Sequence, residues 1–448
     1  MTSRSSIKLS LLTPSSMKKR NVNIVSLGCS KNLVDTERLL SMLANSGIKA
    51  EVTDNSALPA ETVVINTCGF IGDAKEESIN TILEAAEAKA DGLIDRIMVM
   101  GCLSERYRKE LPAEMPEVDV WTGKFDWPSI VSEITGKHPG ASPYERVITT
   151  PRHHAYLKIA EGCNRFCAFC AIPLITGRYH SRTPEEIESE IRSLTSRGVK
   201  EFNVIAQDLT SYGRDLPNKV LLPELIDRLS DIDGVEWLRL HYAYPADFPM
   251  ETMDVMARKP NVCNYLDIAL QHISDPVLKN MRRHIDGQQT RELIAEMRSR
   301  VPDLHLRTTL MTGFPGEGDE EFEELLEFVK ETQFERMGAF AYCEEDDTFA
   351  AKNLRDATPQ EVKQERLDRL MAAQEEISLA IQEQKIGQTL RVMVDREEPD
   401  FFVGRTEWDS PEVDPEVLIR KTDALKVGTF TNVKIEEALP FELIGSPA

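Results

Sequence analysis

Three times near its start the chain runs through a short apolar, β-branched segment, ends it at a cysteine, and changes to helical spacing. Val22 to Leu27 ends at Gly28-Cys29, Thr62 to Asn66 at Thr67-Cys68-Gly69, and Arg96 to Met100 at Gly101-Cys102. Helical patterns follow at Val34 to Leu43, Lys75 to Lys89 and Ser104 to Leu111. A helix between strands returns the chain to start the next strand in the same direction, so the alternation predicts a parallel sheet. In such sheets ligands sit beyond the carboxyl ends of the strands. Cys29, Cys68 and Cys102 are therefore expected to converge although they are far apart in sequence. Single buried cysteines are common packing residues, and three of them in a core is the alternative. Recurrence at the same place in three successive units favours a metal site. An N-terminal α/β domain over residues 21–138 follows, after a Ser-, Lys- and Arg-rich stretch, 1–20, expected to be a disordered extension.

Pro, Gly and Ser from Pro139 to Pro151 read as a linker, after which the alternation resumes. Strands are expected at Tyr156 to Ala160, Glu201 to Ala206, Val235 to Leu240, Tyr265 to Leu270, His305 to Met311 and Arg336 to Tyr342. The helix from Pro184 to Arg197 has Thr183 placed as its cap and Pro184 at its first position, and an acidic helix runs from Asp319 to Glu331. Some six strand–helix units over residues 152–358 imply a partial or complete (β/α) barrel with its site at the strands' carboxyl ends. A charged connecting helix (359–386) leads to a last segment, 387–448, of short β-branched runs separated by turn residues. That segment is expected to form a small antiparallel β-barrel. The fold class is α/β overall.

Eight cysteines in 448 residues, with no secretory signal core and no apolar run long enough to cross a bilayer, suit a cytoplasmic chain whose thiols stay reduced. Cys163-x-x-x-Cys167-x-x-Cys170 sets three thiolates on one short loop at the mouth of the expected barrel. Soft thiolates select zinc, copper(I) or iron–sulfur clusters. Zinc sites ordinarily complete four ligands from paired knuckles or added histidines, and this loop offers no fourth. A cubane held by three cysteines leaves one iron open to a cofactor or substrate, unlike the four-cysteine clusters of electron transfer.

This spacing resembles the radical S-adenosylmethionine (SAM) superfamily. Three separated cysteines, then such a loop, then a small β-barrel, resemble the methylthiotransferases in particular, with a TRAM-like terminal domain. The resemblance implies two [4Fe-4S] clusters, one held by Cys29, Cys68 and Cys102 and one by Cys163, Cys167 and Cys170, with SAM on the second. It implies Phe169 beside the adenine, Arg307 near the methionine carboxylate, and close approach of the ligand at Gly313, but no general acid or base beyond the cluster ligands. A reduced electron donor such as flavodoxin or ferredoxin would be required.

Ser26 to Asp35, Asn66 to Ile71 with Ala74 to Ser78, Leu266 to His272, and Gly404 to Thr406 with Ser410 to Asp414 resemble one branch of that family. That branch inserts a methylthio group at the β-carbon of an aspartate in ribosomal protein uS12 of the small subunit. Tyr342 to Thr348 departs from the family pattern, and neither Cys343 nor Cys263 is read as a ligand. The net charge of −22, and the 13 acidic against 7 basic residues from Gly387 onward, oppose stable nucleic-acid binding and suit a basic protein partner. A tRNA methylthiotransferase of the same fold is the alternative. A non-catalytic iron–sulfur carrier or zinc-stabilised binding protein is the alternative of another class.

Overall fold

A computed structural model describes residues 21–138 and 145–448. The expected extension at 1–20, and residues 139–144 of the expected linker, lie outside the described residues.

The first domain is a five-stranded sheet built from β1 (Val22–Ser26), β2 (Ala50–Val52), β3 (Ala60–Thr67), β4 (Ile94–Gly101) and β5 (Val120–Trp121). The order is β2-β1-β3-β4-β5 and every pairing is parallel. The central strands read as unbroken apolar runs because both faces are covered. Val63, Ile65, Ile97 and Val99 face Ile82 and Ala85 of the helix Gly72–Ala90. Val64, Met98 and Met100 face Leu39 and Leu43 of the helix Ser30–Asn45. The helix expected from Ser104 to Leu111 is two short ones, Cys102–Arg106 and Leu111–Glu114. Pro112, which lacks an amide N–H, sits in the first turn of the second and cannot continue the first. β2 and β5, three and two residues long at the sheet's edges, are too short to show a periodicity.

The central domain contributes β6 (His154–Lys158), the short antiparallel pair β7 (Ala160–Glu161) and β8 (His180–Ser181), then β9 (Glu201–Ile205), β10 (Trp237–Ala243), β11 (Val262–Ile268), β12 (His305–Thr312) and β13 (Arg336–Ala341). Six of these form a parallel sheet in the order β13-β12-β11-β10-β9-β6, so the barrel is partial, with β6 and β13 as its unjoined edges. The Thr183 cap is present: its side chain accepts from the Glu186 amide at 3.3 Å, and Glu186 accepts from the Thr183 amide at 3.0 Å.

The N-terminal domain spans the gap between the two edges. On one side Leu33 and Val34 pack on Tyr156, Ile205 and Tyr242. On the other, Lys75 and Arg106 each reach Glu345, beyond β13, at 2.9 Å. The last part of the expected linker is pinned rather than loose. Glu37 accepts from the Thr149 amide at 2.7 Å, and Arg146 lies 3.1 Å from Glu190.

The helix Gln360–Glu383 leads to β14 (Thr389–Glu397), β15 (Phe401–Arg405), β16 (Glu416–Arg420), β17 (Phe430–Leu439) and β18 (Glu442–Pro447), which close into a barrel in the order β14-β15-β16-β18-β17. The pairings are antiparallel except β16 with β18, which is parallel. A ring of five strands cannot alternate direction all the way round, so one parallel pair is forced by closure.

The segment from Arg405 to Asp414 plugs the amino end of the central sheet. Glu201, first residue of β9, accepts from Arg405 at 3.0 and 2.8 Å and from Arg239 at 3.2 Å. Arg336, first residue of β13, donates to Asp409 at 3.0 and 2.5 Å.

Candidate iron–sulfur and cofactor site

Each N-terminal cysteine stands where a strand of the first sheet gives way to a helix. Glycines beside them let the three loops touch. A methyl group on Gly28 would stand 2.8 Å from Cys68 Cβ, and one on Gly69 would stand 2.6 Å from the Leu103 amide. At Gly101, where φ is +100°, it would stand 2.5 Å from the Thr67 carbonyl oxygen. Asn32 ties the ends together. Its Nδ2 donates to the carbonyls of Leu27 (3.1 Å) and Thr67 (2.9 Å), and Cys102 Sγ lies 3.5 Å from its Oδ1. The pattern of strand ends marked the cysteines; Asn32 was within the same opening motif but carried no signal of its own as a strut.

The three thiols differ electrostatically. Burial pushes Cys102 up to about 12 and also raises Cys68. Burial acts upward on Cys29 too, but the ammonium of Lys31 and the amides of Asn32 and Lys31 outweigh it and hold this thiol below its ordinary value.

The second set lies on the loop after β7. Cys163 is buried, and Cys167 and Cys170 are half-buried. The loop is held by the Ala168 amide on the Met281 carbonyl (2.9 Å) and the Ala350 amide on the Ala168 carbonyl (2.7 Å). Arg283 Nη1 donates to Cys167 Sγ at 3.2 Å, and Tyr244 Oη lies 3.9 Å from the same sulfur. The Arg283 and Arg165 guanidinium groups stand 4.1 and 4.2 Å from the Tyr244 ring. No spacing in the sequence pointed to Arg283 or Tyr244, because they come from other strand-end loops. Burial raises Cys163 to about 11 and Cys170 further.

The two sets are neighbours. Cys102 packs against Ala171 and Ile175, the residues that follow Cys170. All six thiols are free, and neither triad includes a carboxylate or imidazole. Among the described residues no three His, Cys, Asp or Glu side chains close around a single-ion position. An all-thiolate donor set suits an iron–sulfur cluster.

Below them lies a cavity of about 890 Å³ bounded by all three domains: Cys29 and Phe70 from the first, Tyr156 and Met311 from the sheet, Pro411 and Glu412 from the plug. Phe169 lines it and stacks edge-to-face on Phe314, centroids 6.1 Å apart. Arg307 lines it too, with Asp414 of the plug 3.8 Å from its Nε. Gly313 does not line it: its left-handed backbone (φ +72°) is pressed by the Lys363 side chain, and its amide donates to Glu317 at 2.8 Å. Cys343 lines the cavity wall, and Cys263 is buried beside Trp237 and Met393.

Comparison with known proteins follows this division of the chain. Residues 157–329 match the radical SAM superfamily, residues 21–123 the uncharacterized protein family UPF0004, and residues 386–447 the TRAM domain. The chain is 56% identical over 429 residues to the ribosomal protein uS12 methylthiotransferase RimO of Parabacteroides distasonis, covering 96% of this chain and 99% of the relative. It is 50% identical over 434 residues to RimO of Christiangramia forsetii, covering 96% and 95%. Among solved structures, the radical SAM methyltransferase TsrM of Kitasatospora setae, with cobalamin and a [4Fe-4S] cluster bound, aligns with a TM-score of 0.57 at 14% identity, over 92% of this chain and 80% of that one. That likeness is one of fold. High identity along nearly the whole length places this chain in the RimO family of radical SAM methylthiotransferases.

Proposed function

We propose that this protein inserts a methylthio group at the β-carbon of an aspartate in ribosomal protein uS12. The observation that carries this reading is the full-length identity to RimO relatives, each named as a uS12 methylthiotransferase. SAM and an iron–sulfur cluster belong to the radical SAM reading. The finer assignment is two [4Fe-4S] clusters, on Cys29, Cys68 and Cys102 and on Cys163, Cys167 and Cys170. When bound, the second cluster and SAM supply a carbon-centred radical able to take hydrogen from an unactivated C–H bond.

The chain's own residues orient and enclose. Arg283 brings a hydrogen-bond donor to Cys167, which favours the more reduced, more negative cluster. Phe169 offers an aromatic face on the cavity wall for the adenine. Arg307, whose side chain lines the cavity without a hydrogen bond among the described residues and lies 3.8 Å from Asp414, offers a guanidinium for a carboxylate. The N-terminal domain, lying across the open side of the sheet, sets its sulfur-bearing edge beside the radical loop and keeps water from the reacting carbon. No side chain is assigned as general acid or base. A reduced flavodoxin or ferredoxin is the proposed electron source, and the cytoplasm the proposed compartment.

The acidic terminal barrel supports a protein substrate over tRNA. Intact-mass analysis of uS12 from cells with and without the gene tests the reading. Loss of the methylthio group from uS12 on deletion is expected. Its loss from tRNA, with uS12 unchanged, would overturn it.

A further inference from the structure

Four large apolar side chains that this protein leaves in contact with water line one cavity. Phe70 and Ile71 follow the Cys68 loop, Phe340 lies on edge strand β13, and Val413 belongs to the plug. They are 37, 44, 40 and 57% exposed, and all four line the central cavity where it meets solvent. They come from three separate parts of the chain, so the collar exists only in the assembled molecule. Clustered exposed apolar groups ringed by polar ones mark a surface that another molecule covers.

The charge around the collar says what that molecule is. Asp73 and Glu412 stand at the mouth. Gln364 lines both the cavity and a shallow groove along the helix Gln360–Glu383, whose exposed acids are Glu361, Glu365 and Asp368. The basic residues of that turn are engaged elsewhere: Lys363 with Asp356, Arg366 with Glu317 and Asp319, Arg369 with Glu323. Arg369 lines the groove but is held by Glu323, and Asp368 accepts from Gln364 Nε2 at 2.7 Å, so among the described residues the three acids meet no cation. Like charges at i and i+4 cost a helix stability, a cost that a cationic partner would offset. Phosphate-rich RNA would be repelled by the same groups.

We propose that this collar and the acidic turn behind it dock a basic, extended loop of the protein substrate. The apolar ring grips the residues beside the target side chain. Glu361, Glu365 and Asp368 take Lys or Arg side chains farther along the same segment. The proposal rests on the reading that the substrate is uS12 and assigns the surface by which this enzyme would hold it.

Labelled, purified uS12 titrated against the reconstituted holoenzyme at low and raised salt is the test, with tRNA as competitor. E361K/E365K/D368K is expected to weaken binding at least tenfold at low salt and to flatten its salt dependence. The control E375K/E376K/E383K changes the net charge equally on the same helix, away from the groove, and is expected to bind as the wild type does. Phe340→Ser is expected to weaken binding at both salt concentrations with the salt slope retained, and thermal melting checks that each variant folds. Should F340S unfold, the charge reversals on the exposed helix face carry the test alone. Wild-type affinity and salt slope in the groove variant, or equal weakening in the control, would overturn the proposal. If uS12 is methylthiolated yet binding ignores both collar and groove, the docking surface alone is wrong. Should the wild type bind tRNA and not uS12, the proposed function falls with it.

Discussion

The two ends of the central sheet are built to opposite specifications. At the carboxyl end, six free thiols and an open cavity leave bonding capacity unspent. At the amino end, the plug from the terminal barrel saturates nearly every charge: Glu201 holds two arginines, Asp409 holds Arg336, and Asp395 accepts from Arg405 at 2.7 and 2.9 Å. In strand–helix barrels the first kind of end carries chemistry and the second carries stability. Here the division falls between domains, because the N-terminal domain serves the upper end and the terminal barrel the lower.

Substitutions that separate the ends test this contrast. The largest effect belongs to the upper end. Cys163→Ala is expected to abolish both SAM cleavage and methylthio transfer, whereas Cys68→Ala keeps 5′-deoxyadenosine formation and loses methylthio transfer. Chromatographic assay of the two products, with iron analysis, separates them, and equal loss of both in C68A would refute separate roles for the two cysteine sets.

Next comes Glu201→Gln at the lower end. It leaves Arg405 and Arg239 short of a buried counter-charge and is expected to cost about 3–5 kcal/mol in denaturant melts. An unchanged melt would show that the plug is not what holds that end.

His154, in the first position of β6, is buried against the same group, and burial together with the Arg405 charge lowers its pKa to about 4. Unfolded, this imidazole takes a proton as pH falls through 6.5, while the folded form resists until about 4. The native state therefore loses up to ~3 kcal/mol between those values. His154→Gln should flatten the fall in melting temperature over that window.

The smallest effect expected is that of Arg283→Gln. Removing the donor 3.2 Å from Cys167 Sγ should lower the cluster's midpoint potential, on the order of tens of millivolts, in a spectroscopically monitored redox titration. A rise would reverse the sign of the argument.

Much of the upper end could be read from residue order. The strands ending at Cys29, Cys68 and Cys102 are where the apolar runs put them, since a strand buried on both faces needs consecutive apolar residues. The Thr183 cap was equally plain, because a capping box is a contact over three residues. Arg307 was expected near the methionine carboxylate, and the structure adds that Asp414, from the other end of the chain, stands beside it. Gly313 was read as open to a ligand, yet the side chain that approaches it is Lys363 of the connecting helix. The stretch from Tyr342 to Thr348 was read only as a departure from the family pattern. Its Glu345 is the joint between the sheet's edge and the N-terminal domain, meeting Lys75 and Arg106.

Sequence alone determined the local units: which runs become strands, where each ends in a cysteine, and that three thiolates share the loop from Cys163 to Cys170. These follow from periodicity and from spacing within a few residues. Only the tertiary structure decided that the two cysteine sets stand side by side, that Arg283 reaches Cys167 across 116 residues, and that Lys75 reaches Glu345 across 270. Such contacts depend on how whole domains bury one another, and the energy that selects them is spread over surfaces that no short stretch of sequence contains.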